Sequence, residues 1–438
     1  MTTPSCSPPN DCQDSAATPD VFVMTIAGSG YAGLLDIRDS LLAKFDTPTS
    51  VALSPSARTL YVADRNNGRI RRVEFMRGGL RPNWQTFSAD SGGWTSINDF
   101  DERLGVDTFL GGPPTNFSAS PEGSTSRTEL LNKWYKTLHH KKATGHLSTS
   151  NSSLAIDGSD GESSSSESAF SYPAAISLSA DGSRLFVADS ANNRIRQVDV
   201  HTRPITITTL AGRPIAHQAP TGRASKPFGA QCFPGVDPEQ SDSGCPPLSW
   251  DGWGGAFADG VGANASFHYP IDLVTATFQG RPTLFVADQL NHRIRQIDLA
   301  TAHVTTVAGG GEGGGEGGGC VDDVGDLARF RHPTGVAVHP NGETLFVADY
   351  YNYRIRRVDL LTRRVTTIAG SRSLPGASMS LCMPPTPLVR DVERPINLPT
   401  SLTVSIDGSV LYFTDTSAVR QIDLNTYHVT TVAGSSQR

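Results

Sequence analysis

The chain has 438 residues, with 43 glycines, 29 prolines and a formal net charge of −6. That glycine and proline content suits a turn-rich all-β protein rather than a helical one, and the acidic balance speaks against a general polyanion binder. No apolar run approaches the roughly 18 residues that a membrane helix needs.

Taken in chain order, MTTPSCSPPNDCQDSAATPD at 1–20 reads as a disordered tail. It has neither a basic n-region nor an apolar h-region, so no signal peptide is expected there. VFVMTIAG at 21–28 reads as a β-strand ending in Ala-Gly. A first unit starts at Phe45 and carries LYVADRNNGRIRRVEF from Leu60. After an insertion at 76–105 it resumes at VDTFLGG, 106–112. Residues 113–169 are serine-rich and read as disordered. Full units follow at 170–212, 267–309, 330–370 and 396–434, separated by linkers 213–266, 310–329 (glycine-rich) and 371–395. Residues 435–438 form a short tail.

Each unit repeats one plan. An apolar-x-x-Pro entry opens a short strand, as in FHYPIDLVTA and FRHPTGVAVH. A turn such as SADGSR, HPNGET or SIDGSV follows, where Asp-Gly or Asn-Gly accepts the positive φ of a tight hairpin. Next comes the phrase LFVADSANNRIRQVDV or a relative of it, shortened in the last copy to LYFTDTSAVRQIDL. A β-branched strand such as VTTVAG closes the unit. Four strands recurring about every 40 residues indicate an all-β fold, a β-propeller.

The pattern P-x-x-[VIL]…LFVAD-x-x-N-x-R-I-R…V-T-T-[VI]-A-G resembles the NHL repeat, over about half the chain. The resemblance implies an NHL-type propeller over 21–434. Five four-stranded blades are clear, and a degenerate or incomplete sixth stays open because a sixth Ala-Gly strand lies at 21–28. It is specific for fold and much weaker for function, since one propeller type serves unrelated roles.

The phrase places Asp64, Asp189, Asp288, Asp349 and Asp415 at the end of a strand. Asn67, Asn192, Asn291 and Asn352 follow three residues later, then Arg69, Arg194, Arg293 and Arg354. A carboxylate there can accept loop N–H groups or an arginine, and asparagine suits a turn. Recurrence in every blade favours a fold-maintaining motif over a ring that binds ions.

The phrase loop and the inter-blade linkers fall on one face, which displays binding loops on a rigid scaffold. Trp250 and Trp253 in SWDGWGG are the candidate anchors for a protein partner. His268 and His332, ahead of two inner strands, are weak metal candidates. They would matter if the chain were a metal-dependent lyase or hydrolase with a site in the central channel, as the resemblance to peptidylglycine amidating lyases allows. His139, His140 and His146 lie in a basic polar insert. An RNA-binding NHL propeller is a third reading, opposed by the acid that ends each third strand. Cys232 with Cys245, and Cys320 with Cys382, can form disulfides, while no CxxC pair suggests a zinc ribbon. The compartment stays open: cytoplasmic by default, extracellular if the N-terminus is truncated. The expectation is a monomeric, non-catalytic interaction scaffold without a cofactor.

Overall fold

A computed structural model describes residues 25–36, 42–75, 105–110, 170–202, 205–213, 256–310, 318–370, 396–416 and 418–434. They form five antiparallel sheets arranged as a β-propeller, with no α-helix among the described residues. Blade 1 holds β1 (Pro48–Leu53), β2 (Thr59–Asp64), β3 (Arg69–Glu74) and β4 (Gly105–Leu110). Blade 2 holds β5 (Pro173–Leu178), β6 (Arg184–Asp189), β7 (Arg194–Asp199) and β8 (Thr206–Ala211). Blade 3 adds a two-residue edge strand, β9 (Gly260–Val261), to β10 (Pro270–Phe278), β11 (Arg281–Asp288), β12 (Arg293–Asp298) and β13 (His303–Gly309). Blade 4 comprises β14 (Pro333–Val338), β15 (Thr344–Asp349), β16 (Arg354–Asp359) and β17 (Val365–Ala369). Blade 5 comprises β18 (Pro399–Val404), β19 (Val410–Asp415), β20 (Ala418–Asp423) and β21 (Val429–Gly434).

Proline starts every inner strand because a strand's first position needs no ladder N–H. In each blade that proline stands opposite the phrase aspartate: Pro48 with Asp64, Pro173 with Asp189, Pro270 with Asp288, Pro333 with Asp349 and Pro399 with Asp415. A register shift follows directly in all five. The hairpin turns form as their sequences predict. The Gly182 and Gly342 N–H groups donate to Ser179 O and His339 O, with φ of +71° and +72°. In two of the turns Ser179, Ser183, Ser405 and Ser409 donate to Asp181 and Asp407, holding both carboxyls well below the ordinary range.

Alternation sends the two halves of each strand to different seams. Leu345 and Val347 of β15 join the core shared with blade 3, while Phe346 and Ala348 join the core shared with blade 5. Equivalent cores join blades 1 with 2 and 2 with 3. The inner strands pack in the order β1, β5, β10, β14, β18. Each seam has an apolar core that stabilises by about 25 cal/mol per Å² of buried apolar area, crossed by a few hydrogen bonds such as Ser177 with Thr275 and the Val336 N–H to Asp272.

Candidate functional site

The phrase aspartates are buried, and each is the hub of a network inside its own blade. In blade 3, Asp288 Oδ1 accepts the His268 N–H at 2.8 Å. Its Oδ2 accepts Asn291 Nδ2 at 2.8 Å and an Arg295 guanidinium N–H at 2.8 Å. Blade 4 repeats this with Arg331 N–H (2.7 Å), Asn352 (2.8 Å) and Arg356 (2.7 Å) around Asp349. Blade 1 repeats it with Asp46 N–H (2.7 Å), Asn67 (2.8 Å) and Arg71 (2.8 Å) around Asp64. In blade 2 Ser171 N–H and Asn192 bind Asp189 at 2.7 and 2.8 Å, with Arg196 at 3.9 Å. Burial pushes these carboxyls up, and the hydrogen bonds and the arginine act against it.

The guanidinium at the carboxylate is thus the second arginine of R-I-R, seven residues after the aspartate. The first arginine lies elsewhere: Arg293 stacks over Phe257 at 3.7 Å and donates to Asn291 O, and Arg354 donates to Thr367 Oγ1. Arg69 and Arg194 are buried at the same place in their blades. The shortened fifth loop keeps the working pair, because Arg420 reaches Asp415 at 2.9 Å although the asparagine is gone. That retention was visible in TDTSAVRQ, whose arginine aligns with the second of each pair.

The same arginine also reads the linker that precedes its blade. Arg71 donates to Leu35 O and pairs with Asp36 at 2.6 Å. Arg295 donates to Ala258 O and pairs with Asp259 at 2.6 Å. Arg356 donates to Val321 O and pairs with Asp322. Residues 256–266 and 318–329, read from sequence as parts of linkers, are therefore arms docked on a buried cation. The phenylalanine of the entry lies beneath that cation: Phe45 under Arg71 (4.9 Å), Phe267 under Arg295 (5.0 Å) and Phe330 under Arg356 (5.2 Å).

A second set of side chains gathers around the entry prolines. The residue before each inner-strand proline has positive φ: Thr47, Tyr172, Tyr269, His332 and Leu398, between +51° and +55°. This region is disfavoured before proline, and neighbouring blades hold it. Tyr269 N–H donates to Asn193 Oδ1 at 2.7 Å, and His332 N–H donates to His292 Nδ1 at 3.1 Å. Since each proline pairs with the phrase aspartate, these residues and the phrase loops lie at the same end of the strands, the mouth of the propeller. Arg65 of blade 1 lies 5.7 Å from the Tyr172 ring and 5.9 Å from the Tyr269 ring, and donates to the Tyr269 hydroxyl. His332 packs edge-on against His292 (4.6 Å) and Tyr351 (4.9 Å), and Arg331 lies over Tyr351. Burial, reinforced by Arg331 and neighbouring imidazoles, lowers His292 to about 4 and His332 to about 3. This mouth, cationic and aromatic, was not singled out from sequence, because its members come from four separate blades.

His268 contributes its N–H to Asp288. No group of three or more His, Cys, Asp or Glu side chains among the described residues is arranged to hold a metal. His339 sits on the opposite face, against Gly408 O at 3.0 Å. Cys320 is buried and disulfide-bonded, with its partner outside the described residues. Trp250, Trp253, Cys232, Cys245, Cys382 and the histidines at 139, 140 and 146 also lie outside them. No helix among the described residues is long and apolar enough to cross a membrane.

Five four-stranded blades and their repeated inter-blade locks define a β-propeller protein. The NHL repeat family model matches residues 330–358, spanning β14 to β16. NHL repeat-containing protein 2 of Bos taurus is 30% identical over 206 residues, 47% of this chain and 23% of that protein. Protein SUPPRESSOR OF QUENCHING 1, chloroplastic, of Arabidopsis thaliana is 26% identical over 375 residues, 85% of this chain and 30% of that protein. Among solved structures, a gluconolactonase from Xanthomonas campestris aligns with a TM-score of 0.43 and 11% identity, covering 89% of this chain and 76% of that one. The chain is an NHL repeat β-propeller protein, and it spans less than a third of the length of these curated relatives.

Proposed function

We propose that the chain is a non-catalytic binding scaffold that engages a protein partner through the face bearing the phrase loops and linkers. The observation that carries this reading is Arg65, held between Tyr172 and Tyr269 at the channel mouth. A guanidinium fixed by two aromatic rings, and a second cluster of His332, Tyr351 and Arg331 at the same end of the blades, provide residue types that anchor interfaces. The recurring Asp, Asn and second Arg of the phrase are engaged in blade architecture, while its variable positions, Arg65 and Tyr351 among them, form these clusters. The mouth suits an acidic or aromatic segment, since cations prevail there.

The test is capture of interacting proteins by wild-type chain, by Arg65→Glu with Tyr351→Ala, and by Asp407→Ala on the opposite face. A partner retained by wild type and Asp407→Ala but lost by the mouth variant supports the reading. A partner retained equally by all three contradicts it.

A further inference from the structure

The residue that follows the phrase aspartate opens the phrase loop. Ser190, Gln289 and Tyr350 hold this place in blades 2, 3 and 4, and they are uncharged and only 0%, 6% and 2% exposed. Ser190 shows what the position does for the fold, since its hydroxyl donates to Pro270 O of the next blade. Blade 1 has Arg65 there instead, and it is only partly buried. A cation at a position that is otherwise neutral and buried is not required by the blade plan.

Arg65 also differs from the arginines that the plan does require. Arg71, Arg295 and Arg356 each pair with two carboxylates. Among the described residues Arg65 pairs with none: its Nη2 donates to the Tyr269 hydroxyl, and its Nε is buried without a hydrogen-bond partner. The two acids beside its loop are already taken. Asp64 accepts the Asp46 N–H, Asn67 and Arg71. Asp46 Oδ1 accepts Asn66 Nδ2 at 3.0 Å and the Thr47 hydroxyl at 3.1 Å.

The aromatic rings fix where this cation stands. Its guanidinium lies 5.7 Å from the Tyr172 ring and 5.9 Å from the Tyr269 ring, so a side chain of blade 1 passes blade 2 and reaches blade 3. The Tyr269 backbone is in turn held by Asn193. Three blades therefore set the pose of a planar fork, most of whose donors are unused. Such a fork matches a carboxylate, and its order is already met in the fold rather than at the moment of binding.

Charge selects among oxyanions. Burial lowers His292 and His332 to about 4 and 3, so these imidazoles are neutral near pH 7 and leave the arginines as the cations of the mouth. Arg65 offers one positive charge, which balances a carboxylate but not a doubly charged phosphate. One guanidinium gives a small free acid little contact to hold it, which favours a carboxylate borne by a larger surface.

On the reading that the mouth meets a protein partner, we infer that Arg65, seated between Tyr172 and Tyr269, is a carboxylate-binding site filled by an aspartate or glutamate side chain of that partner.

The test titrates the full chain at low ionic strength with a fluorescent tetraglutamate peptide, amidated at its C-terminus, with its tetraglutamine counterpart, with free acetate and with inorganic phosphate. A one-to-one complex with the glutamate peptide is expected. It should weaken at least tenfold in Arg65→Gln and recover only in part in Arg65→Lys, which keeps the charge without the fork. Both variants should melt like wild type, and Arg184→Gln, at an exposed arginine at the opposite end of β6, should bind normally. Absence of a complex, equal affinity for Arg65→Gln, equal binding of the glutamine peptide, or phosphate bound more tightly than acetate overturns the inference. Acetate bound as tightly as the peptide overturns the assignment to a protein side chain. Partner capture lost in the mouth variant without any peptide binding refutes the carboxylate and leaves the mouth as partner site. Peptide binding through Arg65 with capture unaffected refutes the partner reading instead.

Discussion

Asp288 and Arg295 are both fully buried, and each satisfies the other while binding backbone that the fold needs fixed. Removing one charge strands its partner in a site of low polarity. Asp288→Asn should therefore cost about 3–5 kcal/mol in urea unfolding. Arg295→Met with Asp288→Asn should cost less than the sum of the single changes, because the two act as one unit. The histidines give a pH signature. With folded values of about 4 and 3 against an ordinary 6.5, His292 and His332 are favoured neutral in the fold. Their contribution is full above pH 6.5 and is lost as pH falls through those values. Asp189, raised by burial to about 6, and Asp272, raised to about 7, act in the opposite sense, contributing fully below the ordinary carboxylate range and losing it as pH rises. His332→Asn, which tolerates positive φ, should lose less melting temperature than wild type between pH 7 and pH 4. Parallel losses would refute this. At this scale the phrase aspartates and asparagines were legible, because a recurring turn chemistry marks them. The first arginine of R-I-R was singled out from sequence, whereas the second binds the carboxylate; residues two apart lie on one face of a strand, so alternation alone does not separate them.

At the scale of elements, the strands and hairpins follow from β-branched runs, Asp-Gly and Asn-Gly turns and inner-strand prolines. The glycines that end outer strands have a second duty. A Cβ on Gly309 would lie 2.5 Å from His292 O and 2.8 Å from the Phe330 ring, whereas one on Gly280 meets nothing within 4 Å. Both have positive φ, so each alanine costs about 1–2 kcal/mol for backbone conformation. Gly309→Ala should cost at least twice as much as Gly280→Ala, and equal melting temperatures for the two would contradict the close packing. The arms at 256–266 and 318–329 were read from sequence only as linker, because their composition is turn-like. Their order comes from a tertiary cation and from the entry phenylalanine, neither of which leaves a local periodicity.

At the scale of the whole molecule, repeated Asp-centred networks and seams with apolar cores pack the five blades in series, and the mouth, assembled from separate blades, is the proposed partner site. The blade plan was legible because it recurs. The mouth was not, since proximity of Arg65, Tyr172 and Tyr269 depends on closure over about 200 residues of chain. The most direct measurement compares Asp288→Asn with Arg65→Glu for melting temperature and for capture of a partner by the folded protein. The account predicts that Asp288→Asn melts well below wild type yet captures the partner once folded, while Arg65→Glu melts like wild type and fails to capture it. The reverse pattern, with Asp288→Asn stable but unable to bind, would move function into the Asp-centred networks and contradict the account.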